Sequence, residues 1–112
     1  MDSLRLSKVS RLLQRELGDI FQKTARNDYK NAIITVTDVN VSKDLSVARV
    51  YLSIFTSDDK EALFERIIAN TKETRYQLSQ KIKNQVRIIP DLKFFIDDSL
   101  DYIEHIDTLL KK

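Results

Sequence analysis

The sequence predicts an α+β fold: a three-stranded sheet with helices on one of its faces. Three observations carry this. An apolar stripe at helical spacing gives way near residue 31 to dense β-branched chemistry. Two strand-like runs flank a five-residue polar turn and so should form a hairpin. A third alternating run follows the single proline, after a second stretch of helical periodicity.

Taken in order, residues from about Leu4 to Ala25 read as a helix. Val9, Leu13, Leu17, Ile20 and Phe21 share one face at 3.6-residue spacing. Lys8, Arg11 and Arg15 share another, with Arg5 and Arg26 near the ends. The segment is amphipathic and contains arginine, but it continues as an ordinary core helix, which argues against a transit peptide. "NAIITVTDVNV" (31–41) is rich in β-branched residues suited to a pleated, half-buried surface. "SKDLS" (42–46) is a polar turn. "VARVYLSIF" (47–55) alternates, with Ala48, Val50, Leu52 and Ile54 on one face and Arg49, Tyr51 and Ser53 on the other. Two strands this close pair antiparallel.

Ser57, Asp58 and Asp59 supply N-cap chemistry for the next helix, whose apolar stripe is Leu63, Phe64, Ile67 and Ile68. "NTKET" (70–74) is poor helical sequence. Asn70 and Glu73 have capping-box spacing, so a kink is expected over Asn70, Lys72, Glu73 and Thr74. A new helix should run from about Thr74 to Val86, with Leu78, Ile82 and Val86 as its stripe. Pro90 lacks an N–H and holds Ile89 out of helical geometry, so that helix ends before it. Leu92, Phe94 and Ile96 alternate with Lys93 and Phe95, a third strand that can lie parallel to a hairpin strand. Asp97, Asp98 and Ser99 then open a short final helix over 99–112. The predicted order is α-β-β-α-α-β-α, one domain over residues 1–112.

The formal charge of +2 hides a division. Residues 1–30 carry seven basic groups against four acidic. Residues 61–90 carry six against three, and residues 91–112 carry three against six. A polyanion would be drawn to the first and third of the chain's quarters. The absence of cysteine removes disulfides, thiolate catalysis and cysteine zinc sites, and fits a cytoplasmic protein. No apolar run approaches a membrane span.

The residues give catalysis little to work with. Gly18 is the sole glycine, which excludes glycine-rich phosphate loops. His105 is the sole histidine, so no triad and no soft metal site can be assembled around it. The paired aspartates at 58–59 and 97–98 are explained by helix starts. The expectation is a non-enzyme that needs no cofactor or metal. Lys72, Arg75, Lys81, Lys83 and Arg87 surround the apolar stripe of the third helix. Such a surface can contact phosphates of any base sequence, but it is equally a solvated helix face. Tyr76 can stack on a base or sit at the rim of the core.

Three stretches together go further. "RLLQRELGDIF" is a basic amphipathic opening. "VSKDLSVARVYLSIF" holds Ser42, Asp44, Leu45, Ala48, Val50 and Tyr51 at the hairpin. "VRIIPDLKFFIDDS" holds Arg87, Pro90, Leu92, Phe94, Asp97 and Ser99. In this order, and over nearly the whole chain, they resemble the bacterial ribosome-binding factor A family. The resemblance implies a KH-like fold of type II, in which a helix–kink–helix replaces the RNA-gripping G-x-x-G loop. The family's kink carries Ala-x-Gly; counting back from Pro90 places it at Lys72, Glu73 and Thr74, so this chain departs from the family there.

The resemblance also implies a cytoplasmic, monomeric assembly factor. Such a factor binds the immature small ribosomal subunit and its RNA and assists late maturation and processing of the RNA end. It supports growth in the cold and leaves with the help of a GTPase. With the basic stretches, this makes Lys8, Arg11, Arg15, Lys72, Arg75, Lys81, Lys83 and Arg87 the candidate RNA contacts. The rival readings are a general KH-like RNA binder, and a protein-interaction module using the first or the acidic last helix.

Overall fold

The structure, a computed structural model, describes residues 2–28 and 32–97. Its elements are α1 (Asp2–Asp28), β1 (Ile33–Val41), β2 (Val47–Phe55), α2 (Lys60–Ala69), α3 (Thr71–Ile82) and β3 (Asp91–Ile96). The strands form one sheet in the order β1-β2-β3. β1 and β2 pair antiparallel, and β3 lies parallel to β2. The expected α+β fold with a mixed three-stranded sheet is therefore present. The final helix expected over 99–112 lies outside the described residues, as does His105.

One face of the sheet is buried and the other is open. Ile34, Val36, Val39, Ala48, Val50, Leu52, Ile54, Leu92 and Phe94 point inward and are buried. The helices close over them with Leu13, Leu17, Ile20 and Phe21 of α1, Leu63 and Ile67 of α2, and Leu78 and Ile82 of α3, all in one cluster. The rings of Phe21 and Phe94 meet edge to face, 5.6 Å apart and inclined by 80°. At 27 residues α1 is about 40 Å long, and it packs against β1 and α3.

Three local features differ from the sequence reading. First, the inward pattern of β1 slips by one residue at Thr37, where a bulge lies between Val36 and Asp38. The Thr37 hydroxyl donates to the Asp97 carboxylate at 2.6 Å, and the Asp97 N–H donates to the Leu52 carbonyl at 2.7 Å. The end of β3 is thereby tied across β2 to the bulge. Gln14 of α1 donates its side-chain amide to the Val36 carbonyl at 3.0 Å, close to that of Thr37 at 3.3 Å. It occupies carbonyls of the edge strand that would otherwise stand open.

Second, the turn between β1 and β2 needs a left-handed residue, and that residue is Leu45, at φ 62°. Such a conformation costs a non-glycine residue about 1–2 kcal/mol. It persists because Asp44 gathers the loop. Its Oδ1 accepts from the Ser42 hydroxyl at 2.8 Å, the Ser46 hydroxyl at 2.7 Å and the Ser46 N–H at 3.1 Å.

Third, the break between α2 and α3 is one residue, not five. Asn70 sits at φ −96°, ψ 16°, and its side chain makes no capping hydrogen bond to α3. The helical ladder resumes at once with the Thr74 N–H donating to the Asn70 carbonyl at 3.0 Å. Lys72, Glu73 and Thr74 thus belong to the first turn of α3, and the expected kink shrinks to Asn70. α3 also ends at Ile82 rather than near Val86. Val86 still packs on the core, but from a turn in which the N–H groups of Gln85 and Val86 both donate to the Ile82 carbonyl. The four-residue apolar repeat marks a buried position there, not a helical one. The start of α2 is as expected: Asp59 accepts from the N–H groups of Glu61 and Ala62.

This packing can be tested at two points. Phe94→Ala should lower unfolding stability in a denaturant titration by about 3–5 kcal/mol, since the ring is buried against Phe21. The second point concerns pH. Hydrogen bonds from Ser46 and then Ser42 pull the Asp44 carboxyl down from 3.8 to about 2. A carboxyl depressed in the folded state stabilises it fully above the unfolded value and loses that contribution as pH falls through the folded one. The melting-temperature gap between wild type and Asp44→Asn should therefore be constant above about pH 5 and narrow as pH falls from there through about 2.

Candidate nucleic-acid interface

A helix advances about 100° per residue, so residues three, four and seven apart share a face. On α1 this brings Lys8, Arg11, Arg15 and Arg26 into one row on the side opposite Leu13, Leu17 and Ile20, and all four are exposed. On α3 it brings Lys72, Tyr76 and Lys83, just past the helix end, into a row away from Thr74, Leu78 and Ile82. Tyr76 is 60% exposed, which takes it out of the core. Arg87 is exposed on the segment between α3 and β3. The helical layer thus presents two basic rows outward, one of them with an aromatic ring between its cations.

Two of the eight candidate contacts are committed inside the chain. Arg75 donates from Nε to the Pro90 carbonyl at 3.0 Å and from Nη2 to the Ile89 carbonyl. Asp91 lies 3.7 Å from the same guanidinium. This side chain clamps the Ile89–Pro90 joint onto α3 and leads the chain into β3. Proline has no N–H with which to fasten that joint, so the carbonyls do it.

Lys81 reaches across to α1, 2.7 Å from Asp19 and 3.7 Å from Glu16, while Lys23 lies 3.3 Å from Asp19. The hydrogen bond from Lys81, then that from Lys23, holds the Asp19 carboxyl below its ordinary range. The hydrogen bond to Asp19 in turn raises Lys81. This ion-pair seam joins α1 to α3 and sets one carboxylate, Asp19, into the α1 row between Arg15 and Arg26. Arg15 is partly engaged, 3.4 Å from Glu16, but remains well exposed. Among the described residues Lys8, Arg11, Lys72, Lys83 and Arg87 form no ion pair.

Beside the α1 row, Gly18 has no atom within 4 Å of where a Cβ would stand. It opens a hollow of about 540 Å³ between α1 and β1, lined by Gln14, Arg15, Gln22, Arg26 and the strand from Ala32 to Val36. Among the described residues no group of three or more His, Asp or Glu side chains could hold a metal ion. No helix there is long and apolar enough to cross a membrane. What the layer can do chemically is bind anions. The sequence gives no reason to join Arg49 to Lys93; only the parallel β2–β3 register places them side by side.

The committed and uncommitted cations should separate in a denaturant titration. Arg75→Met keeps the aliphatic stem but removes the clamp, and should cost about 1–2 kcal/mol, the low range for hydrogen bonds from a half-exposed charge. Lys83→Gln should stay within about 0.5 kcal/mol of wild type.

Comparison with known proteins agrees with this architecture. Residues 5–110 match the family model for ribosome-binding factor A. A ribosome-binding factor A of Cytophaga hutchinsonii is 46% identical over 112 residues, which is all of this chain and 84% of that protein. Its Flavobacterium johnsoniae counterpart is 46% identical over 111 residues, 98% of this chain and 85% of that one. Among solved structures, the crystal structure of ribosome-binding factor A from Thermus thermophilus superposes with a TM-score of 0.67 at 22% identity, over 81% of this chain and 94% of that one. A homology model of a Thermus thermophilus ribosome-binding factor A, fitted to a cryo-EM map of its complex with the 30S particle, gives a TM-score of 0.62 at 26% identity, over 78% and 89%. By family model, sequence identity and fold, the chain belongs to the ribosome-binding factor A family.

Proposed function

We propose that this chain binds the small ribosomal subunit through its RNA and acts as an assembly factor, not as an enzyme. The observation that carries this is the pair of outward basic rows on a fold shared with a protein fitted into a 30S complex. Residues 1–112 act as one KH-like ribosome-binding domain, working as a monomer in the cytoplasm.

The RNA contacts are Lys8, Arg11 and Arg15 on α1 and Lys72, Lys83 and Arg87 on or beside α3, with Tyr76 available to stack on a base. Arg75 and Lys81, engaged within the chain, position this surface instead of meeting phosphate. The finer role is in late maturation: the factor assists processing of the RNA end, supports growth in the cold, and leaves with the help of a GTPase. A binding protein can shift an RNA between conformations only by its difference in affinity for them. It favours the immature arrangement and releases once maturation removes that arrangement.

The test is co-sedimentation with purified small subunits, large subunits and whole ribosomes across a salt series. Selective binding to small subunits, falling steeply with salt, is the expected result. Lys83→Glu with Arg87→Glu should weaken it at least tenfold and reduce the log–log salt slope by about 1.5–2, near one unit for each phosphate deprived of its cation. Equal binding to every particle would indicate a general RNA binder. Binding indifferent to the charge reversal would remove these residues from the interface.

A further inference from the structure

The sheet face turned away from the helices carries a second arrangement of charge and rings. Arg49 of β2 and Lys93 of β3 are register partners, and both are exposed. Like charges on neighbouring strands repel. Among the described residues neither forms an ion pair. No described carboxylate on this face pairs with them: Asp97 accepts from the Thr37 hydroxyl at 2.6 Å. Asp38 accepts from the Val39 N–H at 2.9 Å, and Asp91 lies beside Arg75. On β1, opposite Arg49, stands the amide of Asn40. A hollow of about 350 Å³ lies over this end of the sheet, lined in part by Asn40, Arg49 and Lys93.

Two residues further along the same two strands, Tyr51 and Phe95 are again register partners. Their rings stack 5.4 Å apart at an angle of 26°, and Phe95 is 40% exposed. The step from the cations to the rings is about 6.6 Å along the strand, on the scale of one nucleotide. Phe55, 73% exposed, continues the same face of β2 four residues beyond Tyr51. Cations that need an anion thus alternate with ring faces and amide donors that suit bases.

We propose that this outer sheet face is a second RNA-binding surface. It takes a single strand by stacking bases on Tyr51 and Phe95 and placing phosphates at Arg49 and Lys93. The proposal rests on the ribosomal RNA reading and extends it from the helical layer to the opposite side of the molecule. A single strand is favoured over a duplex, whose bases are stacked on each other and offer no free π-face. A second copy of the chain is disfavoured, because a two-fold interface on this patch would bring Arg49 and Lys93 against their own kind.

The experiment uses the full chain and a fluorescein-labelled ten-nucleotide RNA of mixed sequence, single-stranded or annealed to its complement, read by anisotropy across a salt series. Wild type should prefer the single strand. Tyr51→Leu with Phe95→Leu, which keeps apolar bulk but removes the ring faces, should weaken it about tenfold or more. Arg49→Gln with Lys93→Gln should weaken it and reduce the salt slope by about 1.4, while its melting temperature holds or rises as the repulsion is relieved. That pair keeps the test decisive should the leucine pair fail to fold.

Co-sedimentation of the same proteins with small subunits separates the two readings. Loss of oligonucleotide binding in the sheet variants, in a chain that binds no subunit, would sink the ribosomal reading and leave this surface standing. Oligonucleotide binding that ignores the glutamine pair, or a wild-type dimer that the sheet variants split in sedimentation velocity, would overturn the proposal.

Discussion

A sheet of three strands has two faces, and the described helices cover one of them. That constraint organises the rest of the molecule. The inner face is apolar on every strand and buried under α1, α2 and α3. Because α1 packs its apolar side onto the core, its opposite side faces water, and cations can stand there without desolvation cost. Because α3 does the same beside it, the two helices meet at a seam, which Asp19, Glu16, Lys23 and Lys81 stitch together. The placement of charge is a consequence of the core.

The parallel pairing of β3 with β2 adds a second constraint. A parallel partner requires a crossover, which α2 and α3 supply. The crossover has to turn a helix into a strand between Ile82 and Asp91, and Pro90 fixes the backbone at the entry to β3. Arg75 then makes the turn rigid by holding the two carbonyls at Ile89 and Pro90. So a basic helix feeds a buried strand through one joint because the strand anchors the fold while the helix presents charge. One of that helix's own cations is committed to building the joint.

Much of this was legible in the sequence. β2 could be read residue by residue because its alternation is uninterrupted from Val47 to Phe55, and the start of α2 because Asp59 caps by local chemistry alone. What could not be read depends on partners distant in the chain. The bulge at Thr37 is held by Asp97, sixty residues away. Leu45 adopts a left-handed conformation that leucine does not advertise, because Asp44 secures the loop around it. Arg75 and Lys81 look like Lys72 and Lys83 in sequence, yet position on α3 separates them. The first pair flanks the buried side, where carbonyls and carboxylates lie within reach, and the second points away. The outer sheet face was half legible: alternation put Arg49, Tyr51, Lys93 and Phe95 outward, but only the β2–β3 register made pairs of them.

The departure from the family's glycine at the kink has a physical reading. Glycine is required where a backbone needs positive φ or where another chain approaches too closely for a Cβ. Among the described residues the only positive φ is at Leu45, far from the kink. Asn70 makes the break at a φ that any residue can adopt. Thr74, at the position of the family's glycine, is buried and packs its side chain where glycine would leave space. Lys72, at the position of the family's alanine, is exposed. The break is therefore made without glycine's conformational freedom, and the surface beside it is marked by a cation. An RNA strand passing there would meet the charge of Lys72 at the end of a long side chain before it met the backbone. Contacts of that kind read phosphate position and not base identity.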